Sequence, residues 1–228
     1  MHIPLPAALV HVFTALGIVC ALFATRAVLA GAWEQVFVWL GVALIVDGLD
    51  GTFARMADVP AKLPRFSGDR LDLVIDYVTY VFVPALALLQ AGYLGSSGYG
   101  MIFASLILMS SLFHFSDTES KTDDHCFVGF PAIWNVVAFY VFALQMPVWA
   151  AILLVLTCVA LTFVPMRWAH PLRTPMLWPV TFLLTGLWCV AAAVTLWSGF
   201  PAGPVSKAVL LLAAAYGVGL VLLRSRAR

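Results

Sequence analysis

The chain contains eight runs of apolar residues, and most of them have the length of a membrane-spanning helix. A helix needs about 20 apolar residues to cross the hydrocarbon core of a bilayer. The runs are residues 7–29, 34–56, 70–91, 99–116, 130–146, 148–168, 177–198 and 205–223. They are continuously apolar and lack the alternation of a membrane β-strand, which favours helices over a barrel. We therefore expect an all-α integral membrane protein, a bundle of about eight transmembrane helices that forms one domain over residues 1–228.

The fifth run leaves the number of spans open. It is short, and only the tripeptide QMP separates it from the sixth run. Seven spans, or a kinked pair of helices at this point, are therefore alternatives to eight. The first run follows no basic segment and no cleavage signal, so we expect a first membrane helix and not a cleaved signal peptide.

The composition excludes several other classes of protein. Hydrophobic residues make up 63% of the chain and charged residues 10%, whereas a soluble domain is about 45–50% apolar. The formal net charge of +1 provides no basic surface, so we do not expect nucleic acid as a partner. The four cysteines show no CxxC spacing, which argues against a zinc site and against a disulfide framework.

Lysine and arginine indicate the orientation in the membrane. If both termini are cytoplasmic, only Arg26 and Lys207 among the 12 basic residues lie outside. This distribution agrees with the rule that cytoplasmic loops carry the excess of positive charge. The turn between the second and third spans is then cytoplasmic, and so is the polar loop SDTESKTDDHCFVGFP.

Two pairs of aspartates occur beside that cytoplasmic turn. Asp47 and Asp50 lie in DGLDGTFARM at the end of the second span, and Asp72 and Asp76 lie in GDRLDLVID at the start of the third. Each pair has a spacing that places both carboxylates on one helix face. Four converging acids would repel one another and lose solvation, and a divalent cation would relieve both effects. Carboxylate oxygens suit Mg²⁺ or Mn²⁺ better than zinc, and such cations commonly serve phosphate chemistry.

Small residues and an arginine accompany the carboxylates. Gly51 and Ala54 leave room on the same helix face, and Arg55 offers a fork of donors to a phosphate oxygen. Gly68 directly precedes the third span, where a bare backbone lets a ligand approach a helix N-terminus. Together these residues indicate a pyrophosphate site.

The segment DGLDGTFARMADVPAKLPRFSGDRLDLVID resembles the signature of the CDP-alcohol phosphotransferase family, D-x2-D-G-x2-A-R-x8-G-x3-D-x3-D. One departure is that twelve residues separate Arg55 from Gly68, where most of the family has eight. The longer spacing and the eight expected spans resemble the bacterial phosphatidylcholine synthase branch of that family. Members of this branch condense CDP-diacylglycerol with choline and release CMP.

The resemblance implies a role for each motif residue. Asp47, Asp50, Asp72 and Asp76 would hold one or two Mn²⁺ or Mg²⁺ ions, and Asp76 would also act as the general base for the choline hydroxyl. The CDP pyrophosphate would be lined by Gly51, Ala54, Arg55 and Gly68. The resemblance also implies a homodimer. We expect it in the bacterial inner membrane, in contact with membrane lipids, and the distribution of basic residues places its active site on the cytoplasmic side.

The stretch ESKTDDHCFVGFPAIWN is the region we expect to bind choline. A quaternary ammonium is recognised by aromatic faces and carboxylates. The candidates are Glu119, Asp124, Phe127, Phe130, Trp134 and Asn135. For Trp134, anchoring at the membrane interface is the alternative. CFVGFP is similar to the F-x-G-x-P element of phosphatidylserine synthases, which keeps serine open as the acceptor.

Two alternative functions remain at this stage. Intramembrane carboxylates are also typical of ion-coupled transporters, but the four motif aspartates lie toward one membrane face and no inverted repeat is visible. Another CDP-alcohol phosphotransferase, with a phosphorylated acceptor, would need a dense basic pocket. The cytoplasmic loops outside the motif carry only scattered basic residues, which favours a cationic or neutral acceptor.

Overall fold

The computed structural model describes residues 5–120, 122, 126–169 and 177–226. Along the chain the elements are α1 (Leu5–Leu29), α2 (Trp33–Ala57), α3 (Val59–Lys62), α4 (Gly68–Asp76), a π-helical segment (Tyr77–Phe82), α5 (Val83–Gln90), α6 (Ser97–Ser116), β1 (Cys126–Val128), α7 (Trp134–Ala143), α8 (Val148–Thr162), β2 (Arg167–Ala169), α9 (Trp178–Ser198) and α10 (Pro204–Arg226). Within these described residues, six helices are long and apolar enough to cross a membrane. They are α1, α2, α6, α9, α10 and the continuous helix formed by α4, the π-helical segment and α5. The predicted fold class, an all-α integral membrane protein, is confirmed.

The fifth and sixth expected spans are shorter helices. α7 has 10 residues and α8 has 15, against the runs 130–146 and 148–168 that we expected to be helical. Pro147 separates the two helices as the residue before α8. Pro165 follows α8, and a proline there is incompatible with a continuing helix. Residues at the end of the expected sixth span instead form strand β2.

α7 lies at the centre of the bundle. Eight of its ten residues are buried, and Phe139 and Phe142 contact Phe37 of α2 edge to face. A helix of 10 residues is only about 15 Å long. Such a short element is tolerated at membrane depth because surrounding protein, and not lipid, covers it.

A proline interrupts the regular geometry of the third long helix. Pro84 cannot donate to the carbonyl of Tyr80 four residues earlier, and its ring would clash with that carbonyl in a regular helix. The chain responds with the π-helical segment, whose hydrogen bonds reach five residues back, as in the bond from the Val83 N–H to the Val78 carbonyl. The Thr79 hydroxyl donates to the Ile75 carbonyl at 3.0 Å, which satisfies a backbone group at the transition.

A small antiparallel sheet joins the loop after α6 to the end of α8. β1 pairs with β2, and Phe127 lies opposite Trp168. The Phe130 N–H donates to the Leu161 carbonyl at 3.0 Å. Gly129 between these contacts has a φ of +79°, and a Cβ there would collide with the backbone of Thr162. A glycine is therefore required for this close approach.

A second glycine brings α4 against α1. A Cβ at Gly17 would lie 2.6 Å from Cγ2 of Ile75, so the absent side chain makes room for the Ile75 methyl group. Small residues commonly allow such close packing of membrane helices. α1 also packs along α2 over most of its length. The pairs of aspartates on α2 and α4 are therefore held next to the same helix.

Candidate active site

Three of the four motif carboxylates meet between α2 and α4. Asp47, Asp50 and Asp72 each offer one carboxylate oxygen, and the three oxygens all lie within 4.8 Å of one another. Asp47 and Asp50 are separated by three residues on α2, and Asp72 lies on α4 three residues before Ile75. The close packing of Ile75 on Gly17 thus positions Asp72 opposite the α2 pair.

Asp76 lies one helical turn beyond Asp72 and is the last residue of α4. Its charge acts on the hydroxyl of Tyr80, as the charges of Asp47 and Asp72 also do. The group of three carboxylates that approach within 4.8 Å does not include Asp76. Its assignment as a shared metal ligand and general base stays a prediction.

Asp50 is the most enclosed of the motif acids. Its side chain is 7% exposed. A buried carboxylate requires polar partners, and the hydroxyl of Thr14 on α1 is one of them. The Thr14 Oγ1 atom also lies 3.2 Å from the Val10 carbonyl. α1 therefore contributes to the site although it lies outside the motif.

Tyr80 is the second residue of the site that the sequence motif does not contain. Its hydroxyl donates to Oδ2 of Asp47 at 2.6 Å, across 33 residues of sequence. The sequence alone is equally compatible with Tyr80 as a packing residue and with Tyr80 as an aromatic wall of the choline site. The signal that points to the carboxylates is its spacing of four residues from Asp76.

Arg55 lies in the last turn of α2 and is exposed. A Cβ at Gly51 would lie 3.4 Å from Nη1 of Arg55, so the guanidinium group extends over the glycine. Its Nη2 atom donates to Oγ1 of Thr52 at 3.1 Å. Ala54, half-buried on the same helix, adds little bulk beside it. This part of α2 leaves space and positive charge next to the carboxylates.

Gly68 is the first residue of α4. The preceding Ser67 caps the helix by accepting a hydrogen bond from the Arg70 N–H at 3.3 Å. A Cβ at Gly68 would lie 3.5 Å from the ring of His11 on α1. The twelve residues between Arg55 and Gly68 contain the short helix α3, whose Val59 is buried.

The donor set fits a hard divalent cation. The grouped ligand atoms are all carboxylate oxygens, on helices held by buried packing. Oxygen-only sites suit Mg²⁺ and Mn²⁺, which retain several waters and bind phosphates of the substrate. The residues expected around the pyrophosphate lie on the same two helix ends. The arrangement is therefore chemically suited to holding a metal-bound diphosphate.

Most of the residues expected to bind choline lie in the interior or near it. Trp134 is completely buried, and its Nε1 donates to Oγ of Ser111 at 2.8 Å. Phe130 packs edge to face on Trp134 and Trp168. Asn135 is buried and Phe127 half-buried, whereas Glu119 is exposed; Asp124 lies outside the described residues. The assignment of these residues to choline stays a prediction.

Proteins named phosphatidylcholine synthase match most of the chain. The one from Bradyrhizobium diazoefficiens is 46% identical over 195 residues, which are 86% of this chain and 73% of the relative. The one from Pseudomonas aeruginosa is 40% identical over 216 residues, or 95% and 90% of the two chains. The one from Borreliella burgdorferi is 31% identical over 210 residues, or 91% and 89%. No protein-family model matches the chain.

Proposed function

The chain belongs to the phosphatidylcholine synthase family of membrane phosphatidyltransferases, and we propose that it transfers the phosphatidyl group of CDP-diacylglycerol to choline and releases CMP. The observation that carries this proposal is the meeting of Asp47, Asp50 and Asp72 within 4.8 Å. The names of the relatives support phosphatidylcholine as the product and favour an enzyme over a transporter.

The three grouped carboxylates would hold Mn²⁺ or Mg²⁺, as one or two ions. A bound cation would neutralise the negative charge on the phosphoryl oxygens and orient the diphosphate. Asp47 and Asp50 contribute from α2 and Asp72 from α4, so the site depends on the packing of both helices on α1. The guanidinium group of Arg55, which extends over Gly51, would bind a phosphate oxygen. Gly68 has no side chain and would leave the N-terminus of α4 accessible to the nucleotide.

We assign Asp76 as the general base that accepts the proton of the choline hydroxyl. The oxygen of the choline hydroxyl attacks the phosphorus that carries the diacylglycerol, and the bond from that phosphorus to the CMP oxygen breaks. Asp76 accepts the hydroxyl proton as the new bond forms, a role that requires hydrogen-bond reach to the alcohol. Its place one turn beyond Asp72 would set it on the acceptor side of the metal site.

The orientation with both termini and the active site in the cytoplasm also belongs to this proposal. Choline and CMP are soluble in water, whereas diacylglycerol remains in the leaflet. The reaction therefore requires a site at the boundary of the two phases, where α2 ends and α4 begins. Placement in the inner membrane and assembly as a homodimer are predictions of the same kind.

The test is a reaction with purified protein in detergent. Protein, CDP-diacylglycerol, Mn²⁺ and labelled choline are incubated, and labelled lipid and CMP are both quantified. Serine, ethanolamine and glycerol 3-phosphate are assayed in parallel. We expect lipid and CMP in equal amounts with choline, loss of both with a chelator, and recovery when Mn²⁺ is added back.

A matched pair of variants sharpens the test. Asp72→Asn removes a grouped carboxylate, whereas Asp69→Asn changes an exposed acid one turn earlier on α4. We expect the first variant to be inactive and the second to be active. Formation of a serine-labelled lipid in place of the choline product would show that the enzyme uses serine as its acceptor. Formation of labelled lipid without CMP would contradict the proposed reaction.

A further inference from the structure

We propose that Tyr80 is a positioning residue that orients Asp47 for the divalent cation. This inference rests on the proposed function, since it concerns the metal site of the same reaction. Tyr80 touches the carboxylate and is assigned no contact with substrate.

The first argument is the geometry of the contact. The Tyr80 hydroxyl lies 2.6 Å from Oδ2 of Asp47, the length of a strong hydrogen bond to a charged acceptor. A phenol O–H at that oxygen limits rotation of the carboxylate and leaves Oδ1 available as a ligand. Partners of this kind hold metal ligands in their binding orientation.

The second argument is the electrostatic position of the hydroxyl. It is hydrogen-bonded to Asp47 and lies within electrostatic range of Asp72 and Asp76, so carboxylates from both helices of the site act on it. Three carboxylates repel one another, and a donor among them reduces that repulsion. Tyr80 can therefore hold Asp47 within reach of its neighbours before any cation binds.

The third argument is the helix that presents Tyr80. An α-helix contains about 3.6 residues per turn, so residues spaced four apart do not lie directly above one another. In a regular α-helix, Asp72, Asp76 and residue 80 would therefore point in directions that shift progressively around the helix axis. The π-helical segment begins directly after Asp76 and packs more residues into each turn. The wider turn offsets this angular shift, so Tyr80 lies on the same helix face as the aspartates.

Tyr77 provides a matched control on the same segment. Its hydroxyl also makes one hydrogen bond, at 2.9 Å, but the acceptor is the Leu108 carbonyl on α6. Its ring packs edge to face on Phe115. Tyr77→Phe and Tyr80→Phe therefore each remove one hydroxyl from one hydrogen bond, and only the second removes it from a carboxylate of the metal site.

The experiment measures Mn²⁺ binding directly. Purified wild-type protein, Tyr77→Phe and Tyr80→Phe are titrated with Mn²⁺, and free Mn²⁺ is followed by electron paramagnetic resonance. We expect Tyr80→Phe to bind Mn²⁺ about 10–100-fold more weakly, and Tyr77→Phe to bind it like the wild type. The Mn²⁺ concentration for half-maximal activity should shift by the same factor, and saturating Mn²⁺ should restore most of the turnover.

Each outcome decides the inference. Unchanged or tighter Mn²⁺ binding by Tyr80→Phe, with an active wild type, overturns the role of Tyr80 and leaves the proposed function intact. Equal weakening in both variants means that the hydroxyl groups act through folding, and this also overturns it. Failure of the wild type to bind Mn²⁺ refutes the proposed metal site itself, and the role of Tyr80 with it.

Discussion

Gly17→Ala tests whether the contact between α1 and α4 positions the candidate active site. The new methyl group would lie 2.6 Å from Cγ2 of Ile75. Two carbon atoms prefer a separation of about 3.5–4.0 Å, so the helices would have to separate by about 1 Å. Ile75 is β-branched and its side chain is stiff, so the backbone of α4 must take up most of this movement.

The expected effect of Gly17→Ala on activity is large. Asp72 lies three residues before Ile75 on the same helix and would move with it, away from Asp47 and Asp50. A misplacement of about 1 Å in a reacting group can lower a rate about 10²-fold. We therefore expect the release of CMP to fall about 10²-fold and Mn²⁺ binding to weaken, while the helix content measured by circular dichroism remains.

Two further variants make this prediction specific. Ile75→Ala removes the opposing methyl group, so the double variant Gly17→Ala/Ile75→Ala should recover much of the activity, as a double-mutant cycle would reveal. Gly186→Ala on α9 is the control, because a Cβ there meets no atom within 4 Å. Full activity in Gly17→Ala, or failure of the double variant to recover, would refute the reasoning.

Three other changes have defined outcomes. Asp76→Asn should lower turnover about 10²–10⁴-fold while binding of a labelled CDP nucleotide persists, and unchanged turnover would remove Asp76 as the base. Asp50→Asn should weaken Mn²⁺ binding in a metal titration, because it removes one of the three grouped carboxylates; binding equal to the wild type would exclude Asp50 as a ligand. Gly129→Ala should reduce the free energy of unfolding by about 1–3 kcal/mol because of its positive φ, with a further loss from the clash with the Thr162 backbone. A thermal melt in detergent measures this, and an unchanged melting temperature would contradict it.

The long apolar runs and the motif predict much of this protein. Six runs are long apolar helices, and three of the four motif aspartates, Asp47, Asp50 and Asp72, meet between α2 and α4, whereas Asp76 is not in that group. The resemblance to the phosphatidylcholine synthases is confirmed by relatives that cover most of the chain. These features are predictable because helix length and the periodicity of charged residues are local properties of the sequence.

Contacts made by uniformly apolar helices are harder to predict. α1 contains few polar residues, so its pattern does not reveal that Thr14 faces Asp50 or that His11 packs at Gly68. The direction of Tyr80 depends on the π-helical segment, which follows from Pro84 and from packing against other helices. The sixth span is predicted to end at residue 168, but α8 ends at Thr162. The apolar pattern does not reveal this end, because residues 163–168 are largely apolar although they are not helical.

The short central helix α7 has a consequence for how the protein responds to its lipid environment. A helix that contacts lipid must match the thickness of the hydrocarbon layer by tilting or by deforming it. α7 meets protein along most of its surface, so its length is not set by that thickness. In a thinner or thicker bilayer, adjustment would fall on the peripheral helices, whereas α7 and the aromatic side chains packed on it would keep their arrangement.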